Sequence, residues 1–166
     1  MTATALTIAN ASGSPWWGTD RGATDEAQAV PLHVIAVAGS YLEAEYGQRI
    51  QECRLALSEA VEECSVPDWD GYRAAPANPL SAAWAEKVVT VFPASLGIPH
   101  FSFDSDGEAL LEWIVAKDRV LSVSVGTDGE LRYAARISGF KRTGIEVFAD
   151  ALPAGLAETA LRLACR

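Results

Sequence analysis

The sequence has little histidine, little cysteine and no long apolar run. Its two histidines, His33 and His100, stand in no metal-ligand spacing, and its three cysteines form no C-x-x-C pair. This disfavours a zinc site and a disulfide framework, and we expect no metal or cofactor. The longest apolar run, Val34 to Ala38, is far shorter than the roughly 20 residues of a membrane span. With no basic flank typical of a signal peptide, a cytoplasmic protein is expected.

Motifs of common enzymes are also missing: the sequence contains no P-loop, no dinucleotide fingerprint and no nucleophile elbow. Basic residues are scarce, since 22 acidic residues stand against 13 basic ones and the net charge is −9. Residues 1–65 alone carry nine acidic and three basic groups. Direct binding to nucleic acid requires a basic face and is disfavoured. A basic protein partner, such as a nucleic-acid-binding protein, suits this charge.

The 166 residues, about half of them apolar, are enough for one globular domain. Residues 1–40 are predicted to be irregular or partly ordered, with one short buried strand within residues 32–39. The Trp16-Trp17 pair in this segment is a candidate contact, either with the domain itself or with a partner.

Residues 41–65 are predicted to form a long acidic amphipathic helix. Apolar residues recur at steps of three and four along one face: Leu42, Tyr46, Ile50, Cys53, Leu57, Ala60 and Cys64. Glutamates lie mostly off this stripe and are candidate partner-binding residues: Glu43, Glu45, Glu52, Glu59, Glu62 and Glu63. The stripe is interpreted as packing on the domain's own core. The alternative is a helix–helix interface that makes a homodimer through residues 41–64.

The stretch VPDWDGYRAAPANP, residues 66–79, joins this helix to the next. Asp70-Gly71 predicts a turn, which Trp69 and Tyr72 are expected to pin to the sheet. We interpret the stretch as a structural corner, with a binding loop as the alternative. A second helix should begin after the N-cap Asn78, with Leu80, Trp84, Val88 and Val91 on its buried face.

In residues 101–148 the period of the apolar residues changes from about 3.6 to 2. This pattern predicts an antiparallel meander of about five strands. Three-residue loops are expected at residues 105–107, 117–119 and 127–129, because this register keeps one face apolar. The predicted pairs are Phe103 with Ala109, Trp113 with Val123, Val115 with Leu121, Val125 with Leu131 and Val123 with Tyr133. A fifth strand begins at Gly144.

The fold class is therefore α+β, with helices covering one face of the sheet and a C-terminal helix beginning near Pro153. The predicted core face is Phe101, Phe103, Leu111, Trp113, Val115, Leu121, Val123, Val125, Leu131, Tyr133, Ile137, Ile145 and Val147. On the other face, Glu112 is expected beside Ser124 and Ser124 beside Arg132, with Arg136 further along. This polar row is either a solvated surface or a partner-binding surface, to which Leu110, Ile114 and Phe148 would add apolar area.

One set of motifs resembles a family of small bacterial proteins that share a WDGY-x-A-x-P entry, a DG turn with LEW, an LSVS strand and a DG turn with L-x-YA. The matching residues are Trp69 to Tyr72 with Ala74 and Pro76, Asp106-Gly107, Leu111 to Trp113, Leu121 to Ser124, Asp128-Gly129, Leu131 and Tyr133-Ala134. The resemblance covers residues from about 67 onward. It implies the fold and no particular activity.

Three functional hypotheses follow. The first is a non-catalytic protein-binding module, an acidic neutraliser of the antitoxin, immunity or anti-CRISPR-like kind, whose charge mimics that of nucleic acid. The second is a small enzyme that uses Glu112 and Arg132 on the open sheet face. The third is a structural protein that self-associates through the helix at residues 41–64.

Overall fold

The computed structural model describes residues 25–165, with side chains given for Tyr41 and from Glu43 onward. The chain divides into two units, residues 1–41 and residues 42–166, and the packing below is that of the second unit. Along the chain the elements are α1 (Asp25–Glu63), α2 (Pro79–Thr90), a 3-10 turn (Ala94–Leu96), β1 (His100–Phe103), β2 (Ala109–Ala116), β3 (Arg119–Val125), β4 (Glu130–Ile137), β5 (Phe140–Val147) and α3 (Ala154–Ala164). Among the described helices none is long and apolar enough to cross a membrane.

The five strands form one antiparallel sheet in the order β1-β2-β3-β4-β5, which confirms the predicted meander. Helix α2 packs on β2 and β3, and α3 packs on β3, β4 and β5. Both lie on the same face, which carries the buried side chains of the sheet. The fold is therefore α+β, with the opposite face of the sheet left uncovered by these helices.

The two Asp-Gly hairpins have the predicted three-residue loops. Gly126 N–H donates to the carbonyl oxygen of Glu130 over 2.7 Å, and Asp104 N–H donates to that of Glu108 over 2.9 Å. The third loop residue adopts a left-handed conformation in each, with φ 79° at Gly107 and φ 83° at Gly129. Glycine adopts this conformation without steric cost. The pairs Phe103 with Ala109 and Val125 with Leu131 follow as predicted.

The predicted loop at residues 117–119 is wrong. Ala116 pairs with Arg119, so the turn contains only Lys117 and Asp118, and the register shifts between Ile114 and Ala116. Val115 is the extra residue of a bulge and is 49% exposed instead of belonging to the core. The true pairs in this hairpin are Trp113 with Leu121 and Leu111 with Val123.

The fifth strand begins at Phe140, four residues earlier than predicted. A two-residue turn precedes it, with φ 48° at Ser138 and 88° at Gly139. The register that follows from this turn places Ile145 and Val147 on the uncovered face, where they are 67% and 69% exposed. The prediction that they belong to the core is therefore wrong. Phe148, predicted on that open face, is buried instead, with its ring edge-on to Trp84 at a centroid distance of 6.2 Å.

Helix α1 already includes residues 32–39, so the strand predicted there is wrong. A short apolar run bounded by Pro and Gly does not distinguish a strand from a helix segment. Further along, the predicted stripe packs on the domain's own core from Cys53 onward, whereas Tyr46, also predicted in it, is 48% exposed. The buried members of the stripe are Cys53, Leu57, Ala60 and Cys64.

Helix α2 begins as predicted, because the Asn78 side chain accepts a hydrogen bond from Leu80 N–H over 2.9 Å and Pro79 occupies the first turn. Its buried face is rotated relative to the prediction: Leu80 is 63% exposed. The buried residues of the helix are Ser81, Ala85, Val88 and Val89. Helix α3 follows Pro153 as expected and buries Leu156, Ala160 and Leu163.

Candidate partner-binding surfaces

The first candidate surface is the acidic face of α1. It consists of the six predicted glutamates, all exposed: Glu43, Glu45, Glu52, Glu59, Glu62 and Glu63. We call this set the acidic surface. Four of them recur at steps of seven, seven and four residues, and 3.6 residues per turn places these in one row along the helix: Glu45, Glu52, Glu59 and Glu63. None of the six forms an ion pair with another residue that the structure describes.

The two arginines of α1 do not neutralise this surface. Arg49 is buried and its Nη2 donates to the Val89 carbonyl oxygen at 3.4 Å. Arg54 pairs with Glu86 of α2 over 2.7 Å. Both guanidinium groups are therefore directed toward α2, and the exposed face of α1 keeps its negative charge. Trp16 and Trp17, the other predicted contacts in the N-terminal part, lie outside the described residues.

The second candidate surface is the loop between α1 and α2. Trp69 anchors this loop as predicted. Its ring is partly buried against the core, and its Nε1 donates a hydrogen bond to the Ala75 carbonyl oxygen over 3.0 Å. The prediction for Tyr72 is wrong: its side chain is 87% exposed and does not pack on the sheet. A large aromatic side chain held in solvent at the tip of a loop is a residue type enriched at interface hot spots.

Two aspartates hold this loop in shape. Asp70 Oδ1 accepts from Tyr72 N–H over 2.7 Å and from Ala74 N–H over 3.1 Å. Asp68 Oδ1 accepts from Arg73 N–H over 2.7 Å. Asp68 and Arg73 both have left-handed backbones, with φ 64° and 73°, which costs energy in a residue other than glycine. The loop is therefore pre-organised, with both carboxylates used internally and Tyr72 directed outward.

The third candidate surface is the uncovered face of the sheet. The predicted contact between Glu112 and Ser124 is wrong, because the bulge in β2 places Glu112 opposite Ser122 instead. Ser122 Oγ donates to Glu112 Oε1 over 2.5 Å. The predicted neighbours Ser124 and Arg132 do pair.

Arg132 belongs to a second polar cluster on this face. It forms ion pairs with Glu108 and with Glu130, the latter over 2.8 Å, and Ser124 Oγ donates to Glu108 Oε2 over 3.3 Å. Sequence reasoning missed both glutamates. The sequence pattern could have placed them, because Glu108 and Glu130 each directly precede a core residue. Side chains alternate between the two faces of a strand, so both glutamates are expected on the open face.

A shallow depression of about 450 Å³ crosses this face, and five of its nine lining residues are small: Ser122, Ser124, Ala134, Thr143 and Gly144. A second depression of about 380 Å³ adjoins it and shares Ser122, Ala134 and Thr143 with the first. Arg136 and Lys141 line the second depression. Arg136 Nη2 donates to the Lys117 carbonyl oxygen over 2.7 Å, so this predicted residue also serves the neighbouring turn.

The side chains proposed for an enzyme are not brought together. Glu112 is hydrogen-bonded to Ser122, and Arg132 is paired with Glu108 and Glu130, in separate clusters. Among the described residues, no group of three or more His, Cys, Asp or Glu side chains could hold a metal ion.

A connected polar network lies under α3, on the covered face. Burial raises the pKa of Tyr133, and its hydroxyl donates to Glu146 over 2.8 Å, which raises that pKa further. Arg142 donates to Glu158 over 2.7 Å, and this bond holds the pKa of the Glu158 carboxyl below its usual value. Gly144 and Gly155 leave room for this network, since a side chain at either would meet Tyr133. The network therefore packs α3 onto β4 and β5.

No protein-family model matches the chain, and no curated protein or solved structure matches it significantly.

Proposed function

We propose that this protein is a non-catalytic binding module that neutralises a basic protein partner, an acidic inhibitor of the antitoxin, immunity or anti-CRISPR-like kind. The observation that carries the proposal is the acidic surface of α1, whose glutamates are exposed without ion-pair partners among the described residues while the helix's arginines face α2. Such a surface attracts a basic groove over a Debye length and accelerates association.

The partner proposed is a nucleic-acid-binding protein whose basic channel the acidic surface occupies in place of nucleic acid. Tyr72 supplies an additional anchor, because the loop that follows α1 in the chain holds its ring in solvent. An arginine or lysine of a basic partner gains a cation–π contact from such a ring. The three cysteines are unpaired, which supports the reducing cytoplasm as the compartment.

The test begins with affinity capture from host lysate, with nuclease present, followed by titration of the purified partner at low and high salt. The variant replaces Glu52, Glu59 and Glu63 by glutamine. The matched control replaces three exposed acids elsewhere, Asp106, Asp118 and Asp150, by asparagine, which changes the net charge equally.

We expect the glutamine variant to slow association about tenfold at low salt and the control to leave it nearly unchanged. Tyr72→Ala should instead speed dissociation, because an anchor acts after encounter. Equal effects of the variant and its control, or binding that is insensitive to salt, would contradict the proposal.

A further inference from the structure

Strand β5 is an edge strand among the residues that the structure describes, with a row of backbone groups that bond no other described strand. Of the five described strands, the sheet order places only β4 beside it. Phe148 N–H donates to the Gly129 carbonyl oxygen over 2.9 Å, which shows that even-numbered residues of this strand bond toward β4. In an antiparallel ladder the alternate residues direct their N–H and C=O groups the other way. These outward residues are Lys141, Thr143, Ile145 and Val147.

This edge has little of the usual protection against pairing, since Lys141 is the single charged residue among its outward residues. It is eight residues long and contains no proline. Two of its outward residues are large and apolar, with Ile145 67% and Val147 69% exposed. Natural proteins shorten, cover or charge such an edge because it templates the addition of another strand.

We propose that two copies of this chain pair through β5, antiparallel about a two-fold axis at Gly144, to form one continuous ten-stranded sheet. In the added strand pair, outward residues of one copy must lie opposite outward residues of the other. The numbers of two opposed residues then differ by an even number, so the two-fold axis passes through a residue and not between two residues. An axis at Arg142 or at Glu146 would oppose like charges directly. An axis at Thr143 or at Ile145 would place both charged residues opposite a glycine or a phenylalanine and so leave them without a partner in the other copy. An axis at Gly144 instead sets Arg142 of each copy opposite Glu146 of the other, twice by symmetry.

The side chains suit this register. Arg142 and Glu146 lie on the face that α3 covers, already bonded to Glu158 and to Tyr133 respectively. Directly opposed residues of a non-hydrogen-bonded pair have Cα atoms about 4.5 Å apart, within reach of an ion pair. The pair would therefore join the polar networks of the two copies. On the uncovered face, Thr143 meets Ile145 and Lys141 meets Val147, which brings the exposed apolar side chains of both copies into one patch.

The experiment is sedimentation equilibrium of the full chain from low micromolar to several hundred micromolar concentration. The expected mass doubles over this range. Ile145→Pro removes an N–H that faces the partner copy and leaves the bonds to β4 intact. We expect it to weaken the dimer at least about tenfold, since the two-fold axis removes the bond twice. The control is Ile114→Thr, a residue also 67% exposed on the uncovered face but on β2.

Amide hydrogen exchange of the wild type gives a test that needs no variant. The amides of Thr143 and Ile145 should gain protection as concentration rises. A monomer at every concentration overturns the proposal. A dimer that persists in Ile145→Pro, or that leaves these amides unprotected, also overturns it and assigns association to another surface, such as α1 or a strand-to-strand contact elsewhere. Neither outcome affects the proposed binding through α1.

Discussion

The buried hydroxyl of Ser81 donates to the carbonyl oxygen of Val125 over 2.6 Å. Ser81 Oγ in turn accepts a hydrogen bond from Ala109 N–H, also over 2.6 Å. Ala109 and Val125 are paired residues of β2 and β3, so one side chain of α2 closes the end of this ladder. The serine satisfies two backbone groups that helix packing removes from water. It therefore fixes α2 over the two strands.

Ser81→Ala should lower the free energy of unfolding by about 2–4 kcal/mol, because two buried backbone groups lose their partner. Urea unfolding followed by circular dichroism measures this change. Ser95→Ala, at an exposed position, is the matched control and should change the free energy by less than about 0.5 kcal/mol. Equal stability of the two variants would mean that water replaces the hydroxyl.

Gly144→Ala should destabilise the protein, because the added Cβ would lie 2.5 Å from Cζ of the Tyr133 ring. The ring must then move, at a cost of about 1–3 kcal/mol in the free energy of unfolding. Gly47→Ala is the contrasting variant, since no atom lies within 4 Å of its added Cβ. In a helix it should stabilise the protein by about 0.5–1 kcal/mol. Thermal and urea unfolding of both variants check the two signs.

Arg49→Met should stabilise the protein by about 1–3 kcal/mol, because a buried guanidinium with too few partners costs more than an apolar side chain of similar length. Its Nε and Nη1 have no hydrogen-bond partner in the structure as described. Arg54→Met, which breaks an exposed ion pair, should change stability by less than about 1 kcal/mol. Urea unfolding compares the two. A loss of stability in Arg49→Met would show that the end of α2 compensates the charge.

Alkaline pH should destabilise the protein through Tyr133. Its pKa is raised in the folded state, chiefly by burial and then by the bond to Glu146. The neutral phenol contributes fully to the free energy of unfolding below the pKa of about 10 that tyrosine has in the unfolded chain. This contribution is lost as the pH rises through the pKa of Tyr133 in the folded protein. Unfolding free energies measured from neutral to strongly alkaline pH should fall less steeply in Tyr133→Phe than in the wild type. If the free energies of the two proteins fell equally with pH, the loss of stability at alkaline pH would come from groups other than Tyr133.

Turn residues explain which parts of the sheet could be predicted. Two hairpins carry Asp-Gly with alternating apolar strands on both sides, and one register alone keeps their apolar residues together. The Lys117-Asp118 turn has no glycine, so neither its length nor the bulge at Val115 is marked in the sequence. A shift of two residues there moved Glu112 from Ser124 to Ser122 and divided the predicted polar row into two clusters.

From residue 41 onward, the sequence by itself determined the order of the helices and strands, the acidic face of α1 and the N-cap of α2, because periodicity, charge and capping are local properties. Tertiary structure decided what these elements face. The Ser138-Gly139 turn set which side of β5 is covered, and packing on α2 turned Arg49 and Arg54 away from the glutamates. Strand side chains alternate with period two, so the length of the Ser138-Gly139 turn decided whether Ile145 and Val147 lie in the core or on a face exposed to solvent.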